Sequence, residues 1–278
     1  MDKLIEKEIK ETISFIKSKT KLKPKIAIVL GSGLGDYTNH LKVEATIDTS
    51  TIPHYPKSTV EGHKGKIIFG FLRDTKPKKS VPVLAFQGRI HYYETGDIRT
   101  VLFPILVAHQ LGIKILFLTN AAGGVNRHFH PGDLMLTKDQ VNLTFENPTA
   151  IINGNKKINK PIYDEDLIKM IIKIAEKSNV PLSEGVYVGV KGPSYETASE
   201  VEMVRRIGGD AVGMSTVNEA TLASALGMRV AGISCITNYA TGVTSAKLDH
   251  EEVTFVANMV KDRFSKLVSS IILSTNNL

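Results

Sequence analysis

The sequence holds a single cysteine and no tryptophan among its 278 residues. One cysteine cannot form an internal disulfide, and Cys235 lies in an apolar run that favours a buried structural thiol. No apolar run reaches the roughly 18 residues that a membrane-spanning helix needs. The first residues alternate charged with apolar side chains, whereas a secretory signal has an uninterrupted apolar segment. We therefore expect a cytoplasmic protein without a membrane partner.

The sequence also lacks a concentrated basic segment, although its formal net charge is +7. The lysines are scattered, and the densest cluster, at residues 76–79, has the pattern of a solvated hairpin turn. No basic helix carries the interleaved aromatic side chains that binders of single-stranded nucleic acid use. We expect a lysine-rich surface that attracts small anions, and no nucleic-acid partner.

Apolar periodicity predicts alternating helices and strands. Four isoleucines at helical spacing predict an N-terminal helix over residues 3–19. Short apolar runs predict buried strands over 25–30, 65–72, 80–87, 114–119, 132–137, 185–190, 211–214 and 229–237. Helical patterns cover 98–111, 164–178, 219–226 and 250–273, and a capping box of Thr197 with Glu200 begins another helix. The polar stretch 142–160 is predicted to be a long loop.

This alternation indicates an α/β fold with a mostly parallel, covered sheet. No linker divides the chain, so we expect a single domain over residues 1–278, with residues 1–20 as its N-terminal helix. Five glycine-rich or polar segments each follow a predicted strand directly: 31–35, 120–124, 192–197, 214–215 and 237–238. Because ligands collect at the carboxyl ends of strands in such folds, these segments predict one composite site.

The first of these segments, Gly31-Ser32-Gly33-Leu34-Gly35, suits an anion. Glycine lets backbone N–H groups approach an oxyanion, and Ser32 adds a hydroxyl donor. A dinucleotide-binding turn with Asp48 as its ribose-binding acid, and a purely structural turn, remain alternatives. Arg89 and His91 lie two positions apart at a strand end, so both can point at one phosphate. His63, between two glycines, is a further candidate.

Glu196 and Asn238 form the predicted base-reading pair. A carboxylate accepts from ring N–H and exocyclic amino groups, while an amide both donates and accepts. Tyr195, beside Glu196, offers a stacking face. A turn or cap role is the alternative for either Glu196 or Asn238 alone. Together with the anion-binding segment, the pair indicates an enzyme that joins or splits a base, a sugar and phosphate.

Seven motifs occur in a fixed order along the chain. They are Gly31-Ser32-Gly33-Leu34-Gly35, Gly62-His63-x-Gly65, Gln87-Gly88-Arg89-x-His91, Thr119-Asn120-Ala121-Ala122-Gly123-Gly124, Gly192-Pro193-Ser194-Tyr195-Glu196-Thr197, Val212-Gly213-Met214-Ser215-Thr216 and His250-Glu251-Glu252-Val253. In this order they resemble the trimeric, 6-oxopurine-specific purine nucleoside phosphorylases, from about residue 20 to the end of the chain.

The resemblance implies the nucleoside phosphorylase fold, a single α/β domain with a central mixed, partly barrel-like β-sheet flanked by helices. It also implies a homotrimer that acts in purine salvage as a pentosyltransferase. The implied reaction is phosphorolysis of purine nucleosides, including deoxy forms, to the free base and (deoxy)ribose 1-phosphate. Inorganic phosphate is then a co-substrate, and neither a metal nor an organic cofactor is expected.

Site residues follow from the resemblance position by position. Phosphate would be held by Ser32, Arg89, His91, the backbone at Ala121, and Ser215, with His63 nearby; ribose would meet Tyr93, Met214 and His250; the purine would meet Tyr195, Glu196 and Asn238. Asn238, Glu196 and His91 are the implied catalytic residues. Related methylthioadenosine phosphorylases carry Asp where this chain has Asn238, so the resemblance favours inosine and guanosine.

The chain departs from the family pattern at Asn159-Lys160-Pro161-Ile162-Tyr163-Asp164. Family members have there a longer run whose phenylalanine reaches into the ribose site of a neighbouring subunit, and that aromatic is absent. Phosphorylases of methylthioadenosine or xanthosine remain the nearest alternatives. A nucleoside hydrolase and a non-catalytic nucleoside-binding protein are further alternatives, and the Arg89, His91 and Ser32 cluster argues against both.

Overall fold

The computed structural model describes residues 3–60, 64–73, 80–152, 158–244 and 250–275, the last range with side chains from residue 255 onward. Within these residues nine strands form: β1 (Ile26–Leu30), β2 (Leu41–Asp48), β3 (Lys66–Arg73), β4 (Ser80–Gln87), β5 (Ile115–Gly124), β6 (Leu134–Asn142), β7 (Ser183–Gly189), β8 (Ala211–Gly213) and β9 (Arg229–Tyr239). The same residues form eight α-helices: α1 (Lys3–Lys19), α2 (Tyr92–Thr95), α3 (Ile98–Gln110), α4 (Glu165–Lys177), α5 (Ala198–Arg206), α6 (Val217–Ala225), α7 (His250–Met259) and α8 (Lys261–Ser274).

All nine described strands join one mixed sheet in the order β2-β3-β4-β1-β5-β8-β7-β6-β9. Because β5 also pairs with β9, the strands β5, β8, β7, β6 and β9 close into a small barrel. Strands β4, β1, β5 and β9 are parallel neighbours, so their carboxyl ends lie at one edge. The predicted α/β class with a mixed, partly barrel-like sheet flanked by helices is confirmed.

Apolar side chains cover both faces of the sheet. Along β1, Ala27 and Val29 pack on one face and Ile26, Ile28 and Leu30 on the other, as the two-residue period of a strand requires. Helices α1, α3 and α6 cover the first face, and α4 and α8 cover the second. None of the described helices combines the length and apolar character needed to cross a bilayer.

Strand β2 was not predicted. It pairs only with β3 at the edge of the sheet and keeps most of its side chains in contact with solvent. An edge strand of this kind has no apolar run for a sequence pattern to detect. Asp48 ends β2 and accepts a hydrogen bond from Ser50 N over 2.9 Å, which caps a short 3-10 turn. That local role replaces the alternative of a ribose-binding acid.

Two further elements correct the prediction. Residues 120–124 were expected to form a turn, but they continue β5, because they pair with β9 on one side and β8 on the other. The single C-terminal helix expected over 250–273 is two helices, α7 and α8, on either side of the buried Val260. The polar stretch 142–160 contains a 3-10 helix at Pro148–Ile152. The lysine turn at 76–79 lies outside the described residues.

Candidate active site

The predicted site residues meet in one cavity at the carboxyl ends of β1, β4, β5 and β9. Its lining comprises Gly31, Ser32, Arg89, His91, Tyr93, Asn120, Ala121, Ala122, Gly123, Tyr195, Glu196, Val212, Gly213, Met214, Ser215, Thr237, Asn238 and Ala240. Every predicted site residue is in this set except two. His63 lies outside the described residues, and only the backbone of His250 is described, at the start of α7. The roles of both histidines stay predictions.

Arg89 anchors one end of the cavity. It follows β4, is only 4% exposed, and its guanidinium is held by three oxygens. Nη1 donates to Ser215 Oγ over 2.7 Å and to Thr216 Oγ1 over 3.0 Å, while Nη2 donates to the carbonyl of Thr119 over 2.6 Å. A guanidinium fixed in this way presents a preorganised positive charge to an anion.

The glycine segment after β1 comes unusually close to β5. A Cβ atom on Gly31 would lie 2.8 Å from both the Cα of Asn120 and the carbonyl of Thr119, which are backbone atoms. Only glycine permits this approach. The backbone of Gly31 and the hydroxyl of Ser32 thereby line the same end of the cavity as Arg89. The geometry suits the predicted anion-binding role of this segment.

His91 is oriented by Glu94, three residues further along the chain. The carboxylate of Glu94 accepts from the backbone N–H of His91 over 2.6 Å and lies 3.2 Å from its Nδ1. Burial opposes ionisation of Glu94, but hydrogen bonds from His91 and Thr59 outweigh it and lower the pKa of Glu94 to about 2. The ring of His91 stacks on Tyr93 with centroids 5.0 Å apart. A permanently charged carboxylate therefore sets the ring's position.

Glu196 and Asn238 also line the cavity. Oε1 of Glu196 is buried and has no hydrogen-bond partner among the described residues. Burial also raises the pKa of this carboxyl, as desolvation does for any charged acid. Asn238, 6% exposed, lies on β9 and lines the same cavity. A buried acceptor without a partner calls for a ligand that brings an N–H or O–H group.

Tyr93 and Met214 form a further part of the cavity wall. Gly192 packs so closely on them that a Cβ there would lie 2.4 Å from the sulfur of Met214 and 3.0 Å from the ring of Tyr93. Gly192 also has a φ of 67°, which favours glycine. Burial is the main cause that raises the pKa of Tyr93 to about 12, so its hydroxyl stays neutral at physiological pH. The wall is apolar with a neutral hydroxyl, which suits a sugar.

Sequence reasoning assigned no role to Asn120, which lines the cavity, or to Glu94, Thr216 and Glu219, which contact lining residues from outside it. Two of them were detectable as patterns. His91-x-x-Glu94 and Thr216-x-x-Glu219 both form capping boxes, in which a glutamate accepts from the backbone N–H three residues earlier. The sequence did not show that these glutamates contact site residues, because those contacts depend on how Arg89 and His91 approach Glu219 and Glu94 in three dimensions.

Comparisons with known proteins agree with this geometry. Residues 25–273 match the family described as the Phosphorylase superfamily. The chain is 43% identical over 269 residues to "Purine nucleoside phosphorylase 1" of Bacillus subtilis, which covers 95% of this chain and 97% of the relative. It is 36% identical to "Purine nucleoside phosphorylase" of Bos taurus, covering 96% of this chain and 94% of the relative.

A solved structure is similar as well. The crystal structure of a schistosoma purine nucleoside phosphorylase in complex with hypoxanthine superimposes with a TM-score of 0.83 and 32% sequence identity, covering 96% of each chain. The family match places the protein in the phosphorylase superfamily. Within that superfamily, the chain belongs to the purine nucleoside phosphorylases. The predicted family is thus confirmed.

Proposed function

We propose that this phosphorylase acts on 6-oxopurine nucleosides, with inosine, guanosine and their deoxy forms as substrates. It transfers the pentosyl group to phosphate and releases the free base, which is the reaction that its family membership supports. One observation carries the choice of substrate: Arg89 and Ser215 line the same cavity as Glu196 and Asn238. A phosphate ion and a purine nucleoside bound side by side fit this arrangement.

Hydrogen-bond chemistry favours an oxo group at the 6-position of the purine. A 6-oxopurine carries N1–H, a donor for Glu196, and an oxygen at C6, an acceptor for the amide N–H of Asn238. Adenine has a lone pair at N1 and a donor at C6, so both contacts would become unfavourable. A site built to make hydrogen bonds rejects ligands that leave its buried polar groups unpaired.

The proposed mechanism begins with phosphate held by Ser32, Arg89, His91, Ser215 and the backbone of Ala121, below the sugar. The C1′–N9 bond breaks and its electron pair moves to the purine, which leaves positive charge on the sugar. A phosphate oxygen then bonds to C1′, giving the pentose 1-phosphate, and the purine anion takes up a proton at a ring nitrogen. Asn238 stabilises the negative charge that develops at N7 and O6, while Glu196 fixes the ring.

Three further properties are part of the proposal. The resemblance to trimeric enzymes supports a homotrimer, which light scattering on the purified protein tests.

The proposed set of phosphate, ribose and purine contacts requires no metal or organic cofactor, so dialysis against a chelator leaves activity unchanged. The lone Cys235, buried in β9, suits a reducing compartment, so we place the protein in the cytoplasm.

The decisive experiment incubates the purified protein with inosine, with and without phosphate, and follows hypoxanthine. Release that depends on phosphate, with an equal amount of ribose 1-phosphate, supports the proposal. Release without phosphate indicates a hydrolase, and binding without release indicates a nucleoside-binding protein. Parallel assays with adenosine, methylthioadenosine and xanthosine test the base preference, and a rate on adenosine equal to that on inosine contradicts it.

A further inference from the structure

A further glutamate, Glu219, is buried directly behind Arg89. Its residue is 3% exposed, and Oε2 lies 3.5 Å from Nη1 of Arg89. The same oxygen accepts a hydrogen bond from the backbone N–H of Thr216 over 3.0 Å. Glu219 belongs to α6 and does not line the cavity, so it has no place in the reaction described above.

Thr216, to which Glu219 is bonded, has a strained backbone. Its φ of 73° and ψ of −54° are those of a γ-turn with positive φ, closed by the N–H of Val217 donating to the carbonyl of Ser215 over 2.8 Å. Among the four described non-glycine residues with positive φ, it alone is β-branched. Such a conformation persists only where surrounding contacts hold it, and it is often found at functional sites.

The side chain of Thr216 is the junction between the strained turn and the anion-binding residues. Its Oγ1 accepts from Arg89 Nη1 over 3.0 Å and from Asn120 Nδ2 over 2.9 Å, and it lies 3.1 Å from Ser215 Oγ. Ser215 is part of the same turn. The positions of two of the proposed phosphate contacts, the Arg89 guanidinium and the Ser215 hydroxyl, therefore depend on one small turn.

We infer that Glu219 is a positioning residue for phosphate. Its carboxylate holds the N–H of Thr216 in the strained turn and fixes the orientation of Arg89 from behind, so that Arg89 and Ser215 are in position before the anion enters. A charge already oriented in the empty site does not have to reorganise when its ligand binds. Glu196 and Asn238 lie on other elements, the turn after β7 and the end of β9. The contribution of Glu219 should therefore be confined to the phosphate half of the site.

The inference can be tested because the effect of Glu219 should be limited to phosphate binding. The test rests on the proposed function only in its choice of phosphate and inosine as the two ligands. Glu219→Gln keeps the shape of the side chain, removes its charge and turns either an N–H or a weaker acceptor towards Arg89. We expect KM for phosphate to rise at least about tenfold while KM for inosine stays within about twofold. The matched control is Glu202→Gln, which breaks a Glu–Arg pair at the surface of α5 and should change neither constant.

Thermal unfolding separates failure of this inference from failure of the proposed function. A ligand that binds only the folded state raises the melting temperature. Phosphate and hypoxanthine, added singly, should each raise it in the wild type, and Glu219→Gln should lose most of the phosphate response and keep the hypoxanthine response. A wild type that responds to neither ligand contradicts the proposed function instead.

The inference is wrong if Glu219→Gln keeps its affinity for phosphate, or if its affinities for phosphate and hypoxanthine fall together. A parallel fall would show that Glu219 supports the fold as a whole. Should Glu219→Gln not fold, Glu219→Asp takes its place, because it keeps the charge but withdraws it from Thr216 and Arg89. The same selective rise in KM for phosphate is then required.

Discussion

The hydroxyl of Thr237 donates to Oδ1 of Asn238 over 2.9 Å and thereby fixes which end of the amide faces the cavity. On its other side, Nδ2 of Asn238 donates to the carbonyl of Tyr239 over 3.0 Å. A carbonyl can only accept, so the nitrogen must lie on that side, and the orientation follows from chemistry. The second hydrogen of Nδ2 is not used by this bond, which suits the proposed role of Asn238 as a donor to N7 and O6 of the purine.

The first prediction concerns the loss of this donor. Asn238→Ala should lower kcat/KM on inosine by about 100-fold to 1,000-fold, the effect of removing one donor aimed at developing charge. Steady-state kinetics with saturating phosphate measure it. Thr237→Val, which frees the amide to rotate but keeps it in place, should lie between wild type and Asn238→Ala. A near-normal rate for Asn238→Ala would contradict the catalytic role.

The second prediction concerns base preference. Asn238→Asp should raise the ratio of adenosine to inosine turnover, because a carboxylate accepts from the 6-amino group and repels the 6-oxo group. The substitution also places an oxygen against the carbonyl of Tyr239, so the melting temperature should fall. Both rates are measured on the same preparations of variant and wild type. An unchanged ratio would show that Asn238 does not read the 6-position.

The third prediction uses the raised pKa of Glu196. A carboxyl whose pKa is higher in the folded state destabilises that state as pH rises from the unfolded value through the folded one. Glu196→Gln should therefore melt at a higher temperature than wild type at neutral pH without ligand, and this difference should shrink below about pH 4.5. Its affinity for hypoxanthine should fall about tenfold, since a neutral acceptor is weaker than a charged one. Equal melting temperatures at both pH values would refute the destabilising role.

The fourth prediction concerns Glu94, whose pKa is lowered to about 2. A lowered pKa stabilises the folded state above the unfolded value near 4.5, and this stabilisation is lost as pH falls through 2. The side chain is only 1% exposed, so Glu94→Gln should reduce the free energy of unfolding by about 3 kcal/mol at neutral pH. The difference in the free energy of unfolding between wild type and Glu94→Gln, measured with urea, should shrink as pH falls below about 4.5. A gap independent of pH would mean that charge plays no part.

The fifth prediction concerns Cys235. It lies in β9, 1% exposed, and burial is the main cause that raises its pKa to about 12. The thiolate is the reactive form, so the native protein should react with a thiol-specific disulfide reagent at least about 100-fold more slowly than the denatured protein. Absorbance during the reaction measures both rates. Fast reaction of the folded protein would show that β9 opens readily in solution.

Much of the fold was readable because the buried strands carry continuous apolar runs that end in glycine or polar residues. The run before Gly31 and the run before Thr237 both proved to be strands that lead into the cavity. Strand β2 was missed because only one of its faces is covered. Residues 120–124 were misread because glycine usually marks a turn, whereas here small residues allow β5 to lie between β8 and β9.

The sequence predicted which side chains line the site, but not the hydrogen bonds and ion pairs that hold them in place. Ser32, Arg89, Glu196 and Asn238 were recognised by the chemistry of their side chains and by their motifs. The strained turn at Thr216 and the burial of Glu219 depend on contacts between residues more than a hundred positions apart, such as Arg89 with Thr216. No local pattern encodes that distance.

The four parallel strands β4, β1, β5 and β9 also fix the distance between two backbone positions of the site. Arg89 follows β4 and Asn238 lies at the end of β9, three strand positions away in the run β4-β1-β5-β9. At about 4.8 Å per strand the two positions are roughly 14 Å apart along the edge. Hydrogen bonds between strands make that separation rigid. The spacing of the backbone positions that carry the proposed phosphate and purine contacts is therefore set by the sheet rather than by loops.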